Sequence, residues 1–340
     1  GGVGMIVTGL IPVEMEVEKR STENLTMYPR ADSPLFIARL NELTDAVHDY
    51  DTKIAAQLSA GMGRVARAAV AQSGWAVSSS SGACFWDPAY KAKELTLEEI
   101  ERLINAFEVA ATTVQAAGFD AIELHAHEGY LIDQFMTGLW NRRTDEYGGD
   151  LEGRLTFALE IIQSIRKTVG PDFPIIFRMA SRHHLEGARD IEESILIAKR
   201  MEERGVDCLH IDAGCYESWD WAHPPVRREM TVEDAALIKK NVSIPIIVVG
   251  RLDNPHVADT ILAEEKADFV ALGRALLADP EWPYKVKAKR FKDIRPCIGD
   301  HDGCLGRIFK GRYLSCVVNP QTGKEREFSL KPASKKKSIL

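Results

Sequence analysis

The chain predicts a parallel α/β fold, a TIM (β/α)8 barrel, and three observations carry that expectation. Short apolar runs alternate with amphipathic helical stretches between residues 5 and 272. Most of these runs are continuously apolar, as strands covered on both faces require. Several of them end in ionisable or glycine-arginine sequences, and the carboxyl edge of such a sheet is where parallel barrels build their sites.

Strands are expected at 5–8, 53–58, 121–125, 174–179, 208–212, 245–249 and 268–272. These are seven, and a barrel closes with eight, so the first strand is expected upstream of Gly1. An open doubly wound sheet is the runner-up, lowered by the absence of a G-x-G-x-x-G after any strand. Between the strands, Thr96-Leu-Glu-Glu99 reads as a capping box. Ile100, Leu103, Ile104, Phe107, Ala111 and Val114 follow at helical spacing, and Gly118 ends that helix. Leu155, Leu159, Ile162 and Ile165 mark a second helix. Ile195, Ala198 and Met201 mark a third. Thr231 to Asp234 caps a fourth, and Asn254-Pro255 opens a fifth. Residues 59–95 read as one long polar connection, and residues 294–340 break the rhythm. The expected division is therefore a barrel over 1–293 and a cysteine-rich appendage over 294–340.

At 340 residues with a net charge of −7, the chain can bury a large core and is a poor partner for nucleic acid or anionic membrane. No run is long and apolar enough for a transmembrane helix, and no signal-peptide pattern is visible. Cys84, Cys208 and Cys215 are scattered, which points to a reducing cytoplasm. Cys297, Cys304 and Cys316 crowd together, which points to a metal. The chain opens without Met and ends KKKSIL, so both ends read as cut.

The 121–125 strand runs into His125, His127, Glu128 and Tyr130. His125 and Glu128 can bond a substrate oxygen or a cofactor ring, and Tyr130 can donate a proton. A polar loop packing on itself explains the same residues. His127 alternates to the other side of the strand and reads as structural. Gly250-Arg251 and Gly273-Arg274 each put glycine and then arginine at a strand end, a pattern suited to a phosphate; two turns with solvated arginines are the bland alternative. Arg178 ends a buried strand and needs a partner, either a cofactor oxygen or a carboxylate on a neighbouring strand. Gln57 suits a flavin pyrimidine edge or a satisfied core position equally. His210, Asp212 and Tyr216 lie on or just after the strand expected at 208–212. Tyr216 is a second candidate proton donor, and His210 reads most simply as a core histidine. No strand ends in a lysine, which argues against a Schiff-base aldol barrel.

Two long motifs then carry a resemblance. His125-Ala-His-Glu128-Gly-Tyr130-Leu-Ile-Asp-Gln-Phe, with Asn141-Arg-Arg-Thr-Asp-Glu-Tyr-Gly-Gly149, resembles the signature of the old yellow enzyme superfamily, FMN-dependent ene reductases on a TIM barrel. Cys297-Ile-Gly-Asp-His-Asp-Gly-Cys304, with Ser315-Cys316-Val-Val-Asn-Pro320, resembles its iron–sulfur branch. That branch includes 2-enoate reductase, 2,4-dienoyl-CoA reductase and the bile-acid 3-oxo-Δ4 oxidoreductases.

The resemblance implies FMN, with Gln57 and Arg178 at its ring and Gly250, Arg251, Gly273 and Arg274 at its phosphate. It implies Tyr130 as proton donor, Tyr216 where one branch places a histidine acid, and His125 at a carbonyl-binding position. The usual partner of His125 is His or Asn, and here it is Glu128. It implies an enoate, enoyl-CoA or steroid enone as partner, and FAD and NAD(P)H in domains beyond this chain. Oligomeric state stays open.

The branch's cysteine pattern is C-x2-C-x3-C-x11-C. Here it reads Cys297, Asp300, Cys304 and Cys316, so the resemblance implies a [4Fe–4S] cluster with Asp300 or solvent on the fourth iron. A Cys3His zinc site using His301, or no metal, are the alternatives. A barrel scaffold that holds no FMN and catalyses nothing is the alternative to the enzyme.

Overall fold

The computed structural model describes residues 2–18, 30–223 and 229–328. The lysine-rich end and the expected start of a linker lie outside them. The chain forms two compact units, one from Gly2 to Ala271 and one that begins at Leu272.

In the larger unit, strands β1 (Met5–Val7), β2 (Ile11–Pro12) and β3 (Lys53–Ser59) lead into an excursion. That excursion carries β4 (Val77–Ser78), β5 (Gly82–Ala83) and β6 (Lys91–Glu94). β7 (Ala121–His125), β8 (Ile175–Ala180), β9 (Cys208–Asp212), β10 (Ile246–Val248) and β11 (Phe269–Val270) then alternate with helices. The main sheet runs β1-β3-β7-β8-β9-β10-β11, every pairing parallel, with β2 also on β3. All seven expected strands are present, though β10 and β11 are shorter than expected. Phe269, on the β11 edge, is 56% exposed.

The helices form where periodicity and caps place them. Thr96 accepts the Glu99 N–H and the Glu99 side chain returns to Thr96, so the helix Leu97–Ala116 starts in a full capping box. It buries Ile100, Leu103, Phe107 and Val114 and packs on the helix Leu151–Val169. That second helix is capped by Asp150 and ends at Gly170, whose φ of 82° suits glycine. Thr231 departs from expectation. Its hydroxyl does not cap Val232–Lys239 but donates to the Val249 carbonyl. A further helix at Ile37–His48, not among those expected, turns Ile37, Leu40, Thr44 and Val47 inward at helical spacing.

Residues 59–95 are not a plain polar loop. β4, β6 and β5 form a small sheet over a cluster of Ala66, Val70, Ala71, Ala76, Cys84 and Ala92. Small side chains build this core, which is why its apolar pattern is faint in sequence.

In the second unit, Asp279 accepts the Lys285 ammonium at 2.6 Å and the Arg295 N–H at 2.8 Å. Asn319 and Thr322 both donate to the Leu277 carbonyl. Gly303 lets the loop before Cys304 lie against the segment at Cys316, since a Cβ there would stand 3.0 Å from Cys316 Cα.

Candidate active site

Side chains two residues apart on a strand share a face, so the sheet interior is stacked in levels; these step across the register where strands are staggered, since Glu123 pairs with Ile176 and His125 with Arg178. The lowest is apolar: Val7, Ala55, Ala121, Ile176, Cys208, Ile247 and Ala271 cluster together. Two residues further along four adjacent strands come Gln57, Glu123, Arg178 and His210. Two further come Ser59, His125, Ala180 and Asp212.

The middle level is an ionic layer. Glu123 has no exposed surface. One oxygen lies 2.6 Å from His210 Nδ1, and the other accepts the Gln57 amide at 2.6 Å. Burial works to raise the Glu123 pKa, but the charge and hydrogen bond of His210, then Arg178 and Gln57, outweigh it and hold the carboxyl below its ordinary range. Arg178 donates from Nε to Asp212 at 3.0 Å. Burial alone would lower the Arg178 pKa; Asp212, Glu123 and Glu128 more than offset it, and it stands raised. Asp212 is held low against its own burial by His127 and Arg178. The carboxylate partner on a neighbouring strand, one of the two alternatives for Arg178, is thus present, and Gln57 is bonded within the layer.

His127 does not face away, contrary to its expected alternation. It lies two residues on from His125, a spacing that puts both on one face, and its Nδ1 lies 2.6 Å from Asp212. Glu128 is buried between His127 Nδ1 at 3.7 Å and His223 Nε2 at 3.8 Å. Among the described residues, His127, Glu128 and Asp212 form a set whose potential ligand atoms all fall within 4.8 Å. A cation there would oppose the Arg178 guanidinium on the same Asp212 oxygen, so the set reads as part of the ionic network.

The loop after β7 is tightly specified. Glu128 and Gly129 have φ values of 52° and 79°. A Cβ on Gly129 would stand 3.1 Å from the Trp140 ring. The Gly129 N–H donates at 2.8 Å to Asp133, which is fully buried with His183 and Arg189. Burial opposes the Asp133 charge, yet Arg189 and His183 hold its carboxyl well below the usual range. Glu128 bridges to Cys215, which aligns this loop with the one after β9. The two tyrosine hydroxyls thereby meet at 3.0 Å. They pack with Val65, against Met62, Phe85 and Trp219, and the Tyr130 ring lies 4.1 Å from that of His125. His125 Nδ1 is 3.0 Å from the Ser59 hydroxyl.

At the end of β10, Gly250 has a φ of 151°, and a Cβ there would stand 2.5 Å from Thr231 Oγ1; Arg251 follows with a φ of 54°. Gly273 and Arg274 lie in the second unit, where the Arg274 guanidinium contacts His301 Nε2. In that unit Cys297, Asp300, Cys304 and Cys316 line one pocket together with His301. Among the described residues, no disulfide joins any of the six cysteines.

Residues 1–293 match the NADH:flavin oxidoreductase / NADH oxidase family. The chain belongs to this family. Over its whole length it is 40% identical to a cinnamate reductase of Clostridium sporogenes and 42% identical to an NADH oxidase of Thermoanaerobacter brockii, covering 53% and 52% of those proteins. A solved 2-naphthoyl-CoA reductase, in complex with 2-naphthoyl-CoA, superimposes with a TM-score of 0.90 at 29% identity over 98% of this chain and 52% of that one. The chain thus spans about half the length of these relatives. The barrel of this flavin oxidoreductase family member is of the old yellow enzyme type. Among the described residues, no helix is long and apolar enough to cross a membrane.

The residues fit a flavin. Gln57, Arg178 and His210 sit at neighbouring strand ends and offer both donors and acceptors, as a pyrimidine edge demands. His210 Nε2 and Asp212 Oδ1 are buried without hydrogen-bond partners. Leaving such groups unmet costs about 1–3 kcal/mol each, a cost that a bound polar edge removes. Sequence reasoning passed over Glu123, although a carboxylate inside an apolar strand is itself the signal of a buried counter-charge. It also missed Ser59, Asp133, His183 and Arg189, which are joined only by tertiary contact.

Proposed function

We propose that this chain is the FMN-binding barrel of an ene reductase acting on the C=C bond of an α,β-unsaturated acid, enoyl-CoA or 3-oxo-Δ4 steroid, in the reducing or the desaturating direction. The observation that carries this reading is the Tyr130–Tyr216 hydroxyl pair, set in an apolar wall above an ionic layer that fits a flavin ring. When bound, the flavin supplies hydride to the β-carbon.

Gln57 and Arg178 hold the ring, and Gly250 and Arg251 approach the phosphate. Of two phenols 3.0 Å apart, one donates to the other, and the acceptor keeps its own proton for the substrate α-carbon. Met62, Phe85 and Trp219 exclude water around the pair, which strengthens each donor toward charge developing on the carbonyl oxygen. His125 stands beside Tyr130 as a substrate contact. Glu128, an acceptor when ionised, cannot clamp a carbonyl as the usual His or Asn does.

In the second unit, Cys297, Cys304 and Cys316 with Asp300 are the proposed ligands of a [4Fe–4S] cluster. Zn–S bonds of about 2.3 Å place the ligands of a single zinc ion about 4 Å apart. Among the described residues, no three of these side chains or His301 draw together within 4.8 Å, a spacing that speaks against a single zinc ion.

The test is a visible spectrum followed by single-turnover kinetics on dithionite-reduced protein. Flavin bands near stoichiometric are expected; their absence favours a scaffold. Tyr130→Phe is expected to slow reoxidation by an enone at least 10²-fold while flavin reduction is unchanged. Unaltered reoxidation in that variant moves the acid role to Tyr216.

A further inference from the structure

A second pocket lies beside the tyrosine pair, and the reaction as described makes no use of it. It has a volume of about 280 Å³ and is lined by Arg64, Ser78, Ser80, Trp140, Arg142 and Glu217 among others. Arg64 immediately precedes Val65, which packs on both tyrosines, and Glu217 immediately follows Tyr216. Arg64 is 14% exposed, lies over the Trp140 ring and pairs through Nη2 with Glu217 at 2.5 Å. Its Nη1 is buried with no hydrogen-bond partner.

Ser80, 5% exposed, accepts the Arg142 N–H at 2.9 Å and has its own hydroxyl proton left to give. Among the described residues, the Arg142 guanidinium bonds only the carbonyls of Leu139 and Ser81, and no carboxylate pairs with it. Two arginines against one glutamate leave the pocket one positive charge in excess.

We propose that this pocket binds an anionic oxygen group, carboxylate or phosphate, carried by the substrate outside the reacting double bond. Arg64 Nη1 and the Ser80 hydroxyl donate to it, and Arg142 supplies the charge. Glu217 aims the Arg64 fork and leaves Nη1 turned toward the ligand. The reading deepens the ene reductase assignment and rests on it: the substrate is an anion whose charged end docks next to the proton donors.

The test compares charged and neutral partners. 4-Carboxycinnamamide is set against cinnamamide, and cinnamoyl-CoA against its N-acetylcysteamine thioester, which lacks the phosphates. The charged member of at least one pair is expected to show a KM at least tenfold lower. Arg64→Gln and Arg142→Gln are expected to erase that ratio; Arg142 is exposed enough for its variant to fold even where Arg64→Gln does not. The pair that responds tells carboxylate from phosphate. Ratios near one in the wild type, or ratios that survive both substitutions, overturn the proposal. Should no enone be reduced at all, the ene reductase reading falls, and calorimetric binding of 3-(4-carboxyphenyl)propanamide to wild type and Arg142→Gln still decides the pocket: equal affinity overturns it, and a tenfold loss upholds it.

Discussion

Below the level of Gln57 the sheet interior is lined by Val7, Ala55, Ala121, Ile176, Cys208 and Ile247; directly above them sit Gln57, Glu123, Arg178 and His210. The same strands build both levels, with the same spacing and almost the same burial. The lower level stabilises the fold by removing apolar surface from water. The upper level takes charges out of water and recovers that cost only through mutual pairing. A barrel can keep such a layer when the level beneath it holds the strands in register. The cost concentrates where the flavin is proposed to lie.

The largest break in this comparison is Glu123→Leu. It strands His210 and weakens the set around Arg178, and about 3–5 kcal/mol of unfolding free energy should be lost. Urea titration measures it. Glu123→Leu combined with His210→Leu should recover part of the loss, because an apolar pair needs no counter-charge. A double variant no more stable than the single would show that His210 is not the residue that balances Glu123.

The same layer sets the acid response. Glu123, Asp212 and Asp133 all stand below the ordinary carboxylate range when folded. Their contribution is therefore complete above the unfolded value of about 4 and is lost as pH falls through the lower folded values, where the unfolded chain already holds the extra protons. Urea midpoints should hold steady from pH 7 to 5 and drop steeply toward pH 3. The drop should be shallower in Glu123→Leu, and an equal slope in both proteins would remove Glu123 from the account.

In the lower level, Ile176→Ala should cost about 2–4 kcal/mol through lost burial and a residual cavity. Its acid profile should keep the wild-type shape, since no charge is touched. A changed profile would mean that the levels are not separable.

The sequence made the lower level legible and much of the upper level obscure, for a physical reason. Continuous apolar runs announce buried strands, and all seven are present. Capping at Thr96 and the stop at Gly170 follow from local chemistry. Glu123 was hidden inside a run that reads as apolar, because its partner His210 is 87 residues away and strand period alone cannot name it. His127 was assigned to the wrong side although it lies two residues from His125, a spacing that by strand period puts both on one face. Asp133, His183 and Arg189 meet only once the loop after β8 folds over the helix Leu131–Met136, and nothing local marks them.

Cys208 gives the smallest effect and the sharpest reading, because it sits in the lower level and feels the upper one. Burial, then the negative charges of Glu123 and Asp268, push its thiol up to about 12. Cys208→Ala should cost only about 1 kcal/mol, as a small buried group does. Chemistry reports more. At pH 8.5 the folded protein should alkylate Cys208 far more slowly than it would a thiol of ordinary pKa near 8.5, because almost none of it is thiolate. In Glu123→Leu one of the charges opposing that thiolate is gone, so alkylation at Cys208 should quicken at conditions where the variant remains folded, while Cys84, with no contribution from Glu123, keeps its rate. Mass spectrometry of iodoacetamide-treated protein separates the two sites. Equal acceleration at both would trace the effect to loosening of the fold, and acceleration at Cys208 alone would place the Glu123 charge within electrostatic reach of the apolar level.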